Sequence, residues 1–270
     1  MVKNSITKSP SKGVLMKEES SLYFSKSFEK GLKILSLFNP DCRSLSLKEV
    51  SEMIGANKSS AYRFVNTLVK LDYLTKDPRT KLLTLAPKSY LLGLNLSRSF
   101  SLLQLVKPII DKVYDAEHIS IDSALLIGGT LLKLYQRMDP ELVIYLSPPV
   151  SVATHTFALG KAILAFLPEK EMREVIAQLR LEKRTDKTLT TKKALIADLK
   201  ITRERGYAIN NEEFALGTFS LAVPFISRET NRPIGAVSID FSTALHTLKE
   251  AQEKYLDILK KLGEDISRIV

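Results

Sequence analysis

Apolar residues first recur at helical spacing at Phe28, Leu32 and Leu35, with Ile34 and Phe38 widening the stripe. The pattern predicts an amphipathic helix over residues 27–38, which Asn39-Pro40-Asp41 ends. Ser46 followed by Glu49 is a capping box, in which each side chain satisfies a free amide of a new helix. Leu47, Val50 and Ile54 give that second helix its apolar face, and Gly55-Ala56 stops it. Asn57 is then a cap for a third helix. Short helices joined by a turn containing Gly are the signature of a helix-turn-helix.

On the third helix, Ala61, Phe64, Val65 and Leu68 gather on the core side. Ser59, Arg63, Asn66 and Lys70 gather opposite, flanked by Tyr62 and Thr67, and no carboxylate joins them. Solvated helix faces usually mix both signs. Arg and Asn can grip guanine and adenine edges, while Ser, Thr, Tyr and Lys reach phosphates. This face reads as a recognition helix: Arg63 and Asn66 on base edges, Lys58, Ser59, Ser60 and Tyr62 on phosphates, Thr67 and Lys70 beside them. The runs Tyr73-Leu-Thr-Lys76 and Lys81-Leu-Leu-Thr-Leu85 flank Asp77-Pro78-Arg79-Thr80, a turn in which Pro presets the backbone. A hairpin there is a wing with Lys76, Arg79 and Lys81 at its tip.

Residues 87–117 continue mostly as helix and connect the two halves, with Pro108 marking a kink or a new segment. From Ile119 the pattern becomes mixed. Strands are expected at 119–127, 131–137, 142–146, 219–226 and 234–241, and helices at 158–179, 191–205 and 244–267. Such a succession predicts an α+β domain, residues 118–270, with a central antiparallel sheet. The DNA-binding domain is assigned to residues 25–86, and residues 1–24 read as a flexible basic leader.

Charge sharpens this division. Of the +10 formal charge over 270 residues, residues 1–98 hold 17 basic and 8 acidic side chains, a net of +9, and the remainder a net of +1. Net charge reports partners rather than fold, and the partner of the first third is a polyanion. A single cysteine, Cys42, forbids an internal disulfide and a thiolate metal cluster, and His118, His155 and His246 lie far apart. With no apolar run near the roughly 18 residues that cross a bilayer and no secretory core, the expectation is a soluble, cytoplasmic protein without metal, cofactor or membrane contact.

The chain resembles the isocitrate-lyase-regulator (IclR) family of bacterial transcription factors. The likeness runs through Ser27-Phe-Glu-Lys-Gly-Leu-Lys-Ile-Leu35, Leu47-Lys-Glu-Val-Ser-Glu-Met-Ile-Gly55 and Lys58-Ser-Ser-Ala-Tyr-Arg63. It continues through His155, Gly160-Lys161-Ala162, Arg205-Gly-Tyr207, Glu212-Glu213, Leu216-Gly217 and Leu221-Ala222. The resemblance implies a winged helix-turn-helix, a linker helix and a GAF-like effector-binding domain, assembled as a homodimer or tetramer on operator DNA. By position it implies an effector pocket from Ala158, Leu159, Gly160, Asn210, Ser220, Ser238 and Asp240. The founding members carry small residues where Ala158 and Leu159 stand, an acid near Asn210 and serine in place of Asp240. Asp240 would repel a small carboxylate such as glyoxylate or pyruvate unless protonated or paired.

Several sharper readings fail. Gly160-Lys161 is not a phosphate loop, because His155 and Ala162 occupy required positions, although a helix start there could still bind an anion. Glu212-Glu213 lacks a nucleophile and suits a structural or capping role. His155 reads as a hydrogen-bonded core or pocket-edge histidine, Cys42 as a buried or loop thiol, and His118 receives no role. Two functions remain: an effector-responsive DNA-binding regulator, read as a repressor of a catabolic operon on pseudopalindromic sites, and a hydrolase-like enzyme with a DNA-binding appendage.

Overall fold

The computed structural model describes residues 23–39, 42–99, 101–139 and 148–270. The chain divides into two compact units, Met1–Ser99 and Phe100–Val270. The leader before Tyr23 and the strand expected at 142–146 lie outside the described residues.

In the first unit, α1 (Lys26–Ser36), α2 (Leu47–Met53) and α3 (Lys58–Lys70) precede a hairpin of β1 (Leu74–Lys76) and β2 (Leu83–Leu85), followed by α4 (Pro87–Ser99). Ser46 and Glu49 form the expected capping box at α2, and Asn57 Oδ1 accepts the Ser60 amide at 2.8 Å to start α3. Ile34, Val50, Val65, Leu68, Leu74 and Leu83 bury one small core. Leu45 bridges Leu83 through two backbone hydrogen bonds, of 3.0 and 2.8 Å, which fasten the hairpin to the segment before α2.

The second unit begins with α5 (Ser101–Glu117), which runs unbroken past Pro108. A six-stranded sheet has the order β5-β4-β3-β8-β7-β6, every neighbouring pair antiparallel. Its strands are β3 (Ser120–Ile127), β4 (Thr130–Arg137), β5 (Val150–Ser151), β6 (Ala208–Asn211), β7 (Thr218–Ile226) and β8 (Pro233–Ser242). The sequence pattern misses β5 and β6, which are too short to show alternation. The helical stretch expected at 158–179 divides into α6 (Ala158–Phe166) and α7 (Glu169–Gln178). Pro168 forces the residue before it, Leu167, out of helical geometry (ψ 153°). Completing the unit, α8 (Lys192–Arg205) and α9 (Leu248–Ser267) are started by the hydroxyls of Thr191 and Thr247.

Strand alternation sorts the sheet into two faces. Ile121, Phe219, Leu221, Val223, Ile239 and Phe241 point one way and pack with Val106 and Ile110 of α5 and Tyr255, Leu259 and Leu262 of α9. Ala124, Ala208, Ala222 and Ala236 point the other way and meet α6. These alanines leave room for a helix to lie close. Gly160 meets the turn that precedes the helix as closely, because a Cβ there would stand 2.1 Å from the Thr154 carbonyl oxygen. Beyond α6, Leu164, Ile176, Leu195 and Leu199 join α7 and α8 in a further layer.

Candidate functional site

Two surfaces carry the chemistry, one in each unit. On α3, Ala61, Val65 and Leu68 are buried, while Lys58, Ser59, Tyr62, Arg63, Thr67 and Lys70 are exposed and Ser60 and Asn66 half-buried. The Thr67 hydroxyl donates to the Arg63 carbonyl at 2.9 Å, so its proton stays within the helix. In the hairpin, the Asp77 carboxylate accepts the amides of Arg79 and Thr80, at 2.9 and 2.6 Å, which shape the tip and hold its carboxyl below the usual aspartate range. Lys76 Nζ lies 5.9 Å from the Tyr62 ring and brings hairpin and helix face together. Arg79 and Lys81 are exposed at the tip, and Lys81 Nζ donates to the Pro78 carbonyl.

Lys58, Arg63, Lys70, Lys76, Arg79 and Lys81 form no ion pair among the described residues. The second unit differs, since Lys107, Lys133, Arg137, Lys161, Arg173, Lys187 and Arg232 all pair with carboxylates there. Cations not neutralised by carboxylates are the ones available to phosphates.

Beside α6 the sheet borders a cavity of about 40 Å³. Two rungs of side chains form its floor. One runs Asn210, Ser220, Asp240, Ser120 across β6, β7, β8 and β3. The next runs Ser238, Asp122, Gln136 across β8, β3 and β4. Phe157, Ala158 and Leu159 roof it at the start of α6. Of the residues implied as the effector pocket, Ala158, Leu159, Asn210, Ser220, Ser238 and Asp240 line this cavity together; Gly160 does not, and packs against Thr154.

Electrostatics distinguish the two acids. Asp122, 3% exposed, pairs with Lys133 Nζ at 3.3 Å, and that lysine also donates to Gln136 Oε1 at 2.8 Å. Ser238 Oγ stands 3.4 Å from both oxygens of Asp240. Burial, and then the nearby Asp122 charge, push the Asp240 carboxyl up to about 7.

Near the cavity, Lys161 is 1% exposed and gives its ammonium to Glu213 Oε1 at 2.6 Å and Asp198 Oδ2 at 3.2 Å. This is a closed internal ion cluster, not a phosphate grip. Glu213 in turn donates its amide to Asn210 Oδ1 at 2.9 Å, so the cluster links α6 to a cavity residue. Burial raises the Glu213 carboxyl despite Lys161. Glu212, at φ 58° just past β6, pairs with Lys187. His155 is fully buried, its Nε2 3.4 Å from the Glu182 carbonyl, and burial lowers its basicity.

Profiles of known families agree with this division. The description of a bacterial transcriptional regulator IclR C-terminal domain matches residues 96–268, and that of an IclR helix-turn-helix domain matches residues 27–78. The chain belongs to the IclR family. It is 26% identical over 245 residues to the Pca regulon regulatory protein of Pseudomonas putida, covering 90% of this chain and 83% of that one. It is also 26% identical over 226 residues to the transcriptional repressor IclR of Escherichia coli, covering 79% of each. An IclR homologue from Microbacterium hydrocarbonoxydans, solved in complex with 4-hydroxybenzoate, shares the fold with a TM-score of 0.67 at 20% identity, covering 90% of this chain and 98% of that chain. As an IclR-family member the protein is a DNA-binding transcriptional regulator and not an enzyme, which removes the hydrolase alternative. No described helix is long and apolar enough to cross a membrane.

Sequence reasoning missed Ser120, Asp122, Gln136, Phe157 and Thr218 as cavity residues. Their signal was present: Ser120 and Asp122 put polar groups at alternate positions of a largely apolar strand. Without the pairing register, the face they share cannot be told apart from the solvated one.

Proposed function

We propose that this IclR-family protein represses a catabolic operon in the cytoplasm, binding pseudopalindromic operator DNA as a homodimer or tetramer and responding to a small effector in the cavity. Arg63 and Asn66 read base edges. Lys58, Ser59, Ser60, Tyr62 and Lys70 on α3, with Thr67 beside them and Lys76, Arg79 and Lys81 of the wing, hold phosphates and fix register. Ala158, Leu159, Asn210, Ser220, Ser238 and Asp240 receive the effector, and Gly160 lets the start of α6 pack against Thr154 beside them. Exposed Phe28, Leu32, Tyr90 and Leu91 in the first unit support association between copies. The effector acts by binding one arrangement of the assembly better than the other. That the Microbacterium homologue holds 4-hydroxybenzoate supports a metabolite as the signal.

The observation that carries this reading is the acid-free face of α3, whose cations have no partner among the described residues. Arg63→Ala should weaken specific operator binding by about 1–3 kcal/mol, measured by gel shift and footprinting on the chain's own upstream region. An unchanged footprint and affinity remove Arg63 from the interface. In the cavity, Ser238→Leu should abolish the response of that complex to effector while the effector-free affinity holds. Loss of both together makes Ser238 a folding residue instead.

A further inference from the structure

The two central strands of the sheet carry the same tripeptide, Ser120-Ile121-Asp122 in β3 and Ser238-Ile239-Asp240 in β8. Antiparallel pairing sets Ser120 opposite Asp240 and Asp122 opposite Ser238, and sends both isoleucines to the far core. The cavity floor is therefore a checkerboard of two carboxyls and two hydroxyls. Its halves have different neighbours. Asp122 has the Lys133 ammonium at 3.3 Å. Asp240 has Ser238 and, across on β7, Ser220, and forms no ion pair among the described residues. Asp122 from β3 and Lys133 from β4 are the charged groups that face it. Asn210, 4% exposed, lines the cavity and uses its Oδ1 for the Glu213 amide, which leaves its NH2 group without a hydrogen bond among the described residues.

We propose that the cavity binds a small organic amine, its ammonium held by the Asp240 carboxylate with the Ser238 and Ser220 hydroxyls, and an oxygen at its other end met by the Asn210 amide and the first turn of α6. The proposal rests on the reading of this cavity as the effector site. An ammonium brings three N–H donors, which one carboxylate and two hydroxyls can accept. A carboxylate ligand would instead add a third negative charge beside two acids and one lysine. The partial positive charge at the start of α6, about half a unit, is too small to offset that. Because burial and Asp122 push the Asp240 carboxyl up, an arriving ammonium displaces a proton there, whereas an arriving carboxylate must be met by one.

Two matched pairs of probes, differing chiefly in the sign of one end, test this by titration calorimetry on the full chain: ethanolamine against glycolate, and 4-hydroxybenzylamine against 4-hydroxybenzoate. In buffers of differing ionisation enthalpy, at least one amine should bind roughly tenfold or more tighter than its acid and release protons. Asp240→Asn should erase that preference. Ser220→Ala, a milder change, should weaken the amine and not the acid, and guards against a misfolded aspartate variant. Tighter binding of the acids, or binding of none of the four, overturns the inference. If the acids bind tighter than their amines and change operator affinity, the effector reading survives and the amine inference alone falls. If an amine binds through Asp240 without changing operator affinity, the amine site stands and the effector reading alone falls.

Discussion

Asp240 sits between Ser120 and Ser220 in a row that crosses three strands, and its environment fixes how its proton responds to pH. An ordinary aspartate in the unfolded chain loses its proton near 4, whereas burial and the Asp122 charge push this one up to about 7 in the fold. Between those values the folded state holds the extra proton, so stability falls as pH rises through that window and levels off above it. Asn at this position carries no such dependence. Asp240→Asn should therefore raise the melting temperature more at pH 8 than at pH 5, by about 2–4 °C for each kcal/mol recovered. Scanning calorimetry of both proteins at the two pH values measures it, and equal shifts at both would show that Asp240 titrates normally. Asp240 was legible in the sequence through family position alone. Asp122 was not, since only the register of β3 on β8 shows that it shares a cavity with Asp240.

Among elements, the helices and hairpin of the first unit were readable because their signals are local. The Ser46–Glu49 box, the Asn57 cap and the turn at Asp77-Pro78 each act within a few residues. The placement of α6 was not, because it depends on partners far along the chain, the four alanines from four strands below it. The Lys161 cluster shows the same limit, uniting residues from α6, α8 and the bend after β6. Gly160 tests how tightly this arrangement is held. A methyl there would meet the backbone oxygen of Thr154 at 2.1 Å, and a backbone oxygen cannot rotate away as a side chain can. Gly160→Ala should cost about 1–3 kcal/mol, read by urea denaturation. A loss within about 0.5 kcal/mol, the usual range for a surface change, would mean that α6 can shift freely against the Thr154 turn.

At the scale of the whole molecule, the charge difference between the two parts of the chain becomes a statement about pairing. The second unit holds nearly as many acids as bases, and many of its cations are engaged by its own carboxylates, such as Lys161 with Glu213 and Arg137 with Asp111. The cations of α3 and the wing have no such partners among the described residues. Each phosphate neutralised releases counterions, and the logarithm of affinity falls with that of salt by about 0.9 per contact. Under the proposed function those contacts belong to the first unit alone. Lys58→Ala should thus weaken binding to every DNA sequence and reduce the salt slope by about 1. Lys249→Ala removes an equally formal charge from an exposed helix position of the second unit, where the side chain lies 3.8 Å from Glu253, and should leave the slope unchanged. Fluorescence anisotropy on a labelled duplex across a salt series compares the two directly. Equal effects would mean that DNA feels only the total charge of the protein, and that the α3 face has no special part in holding it.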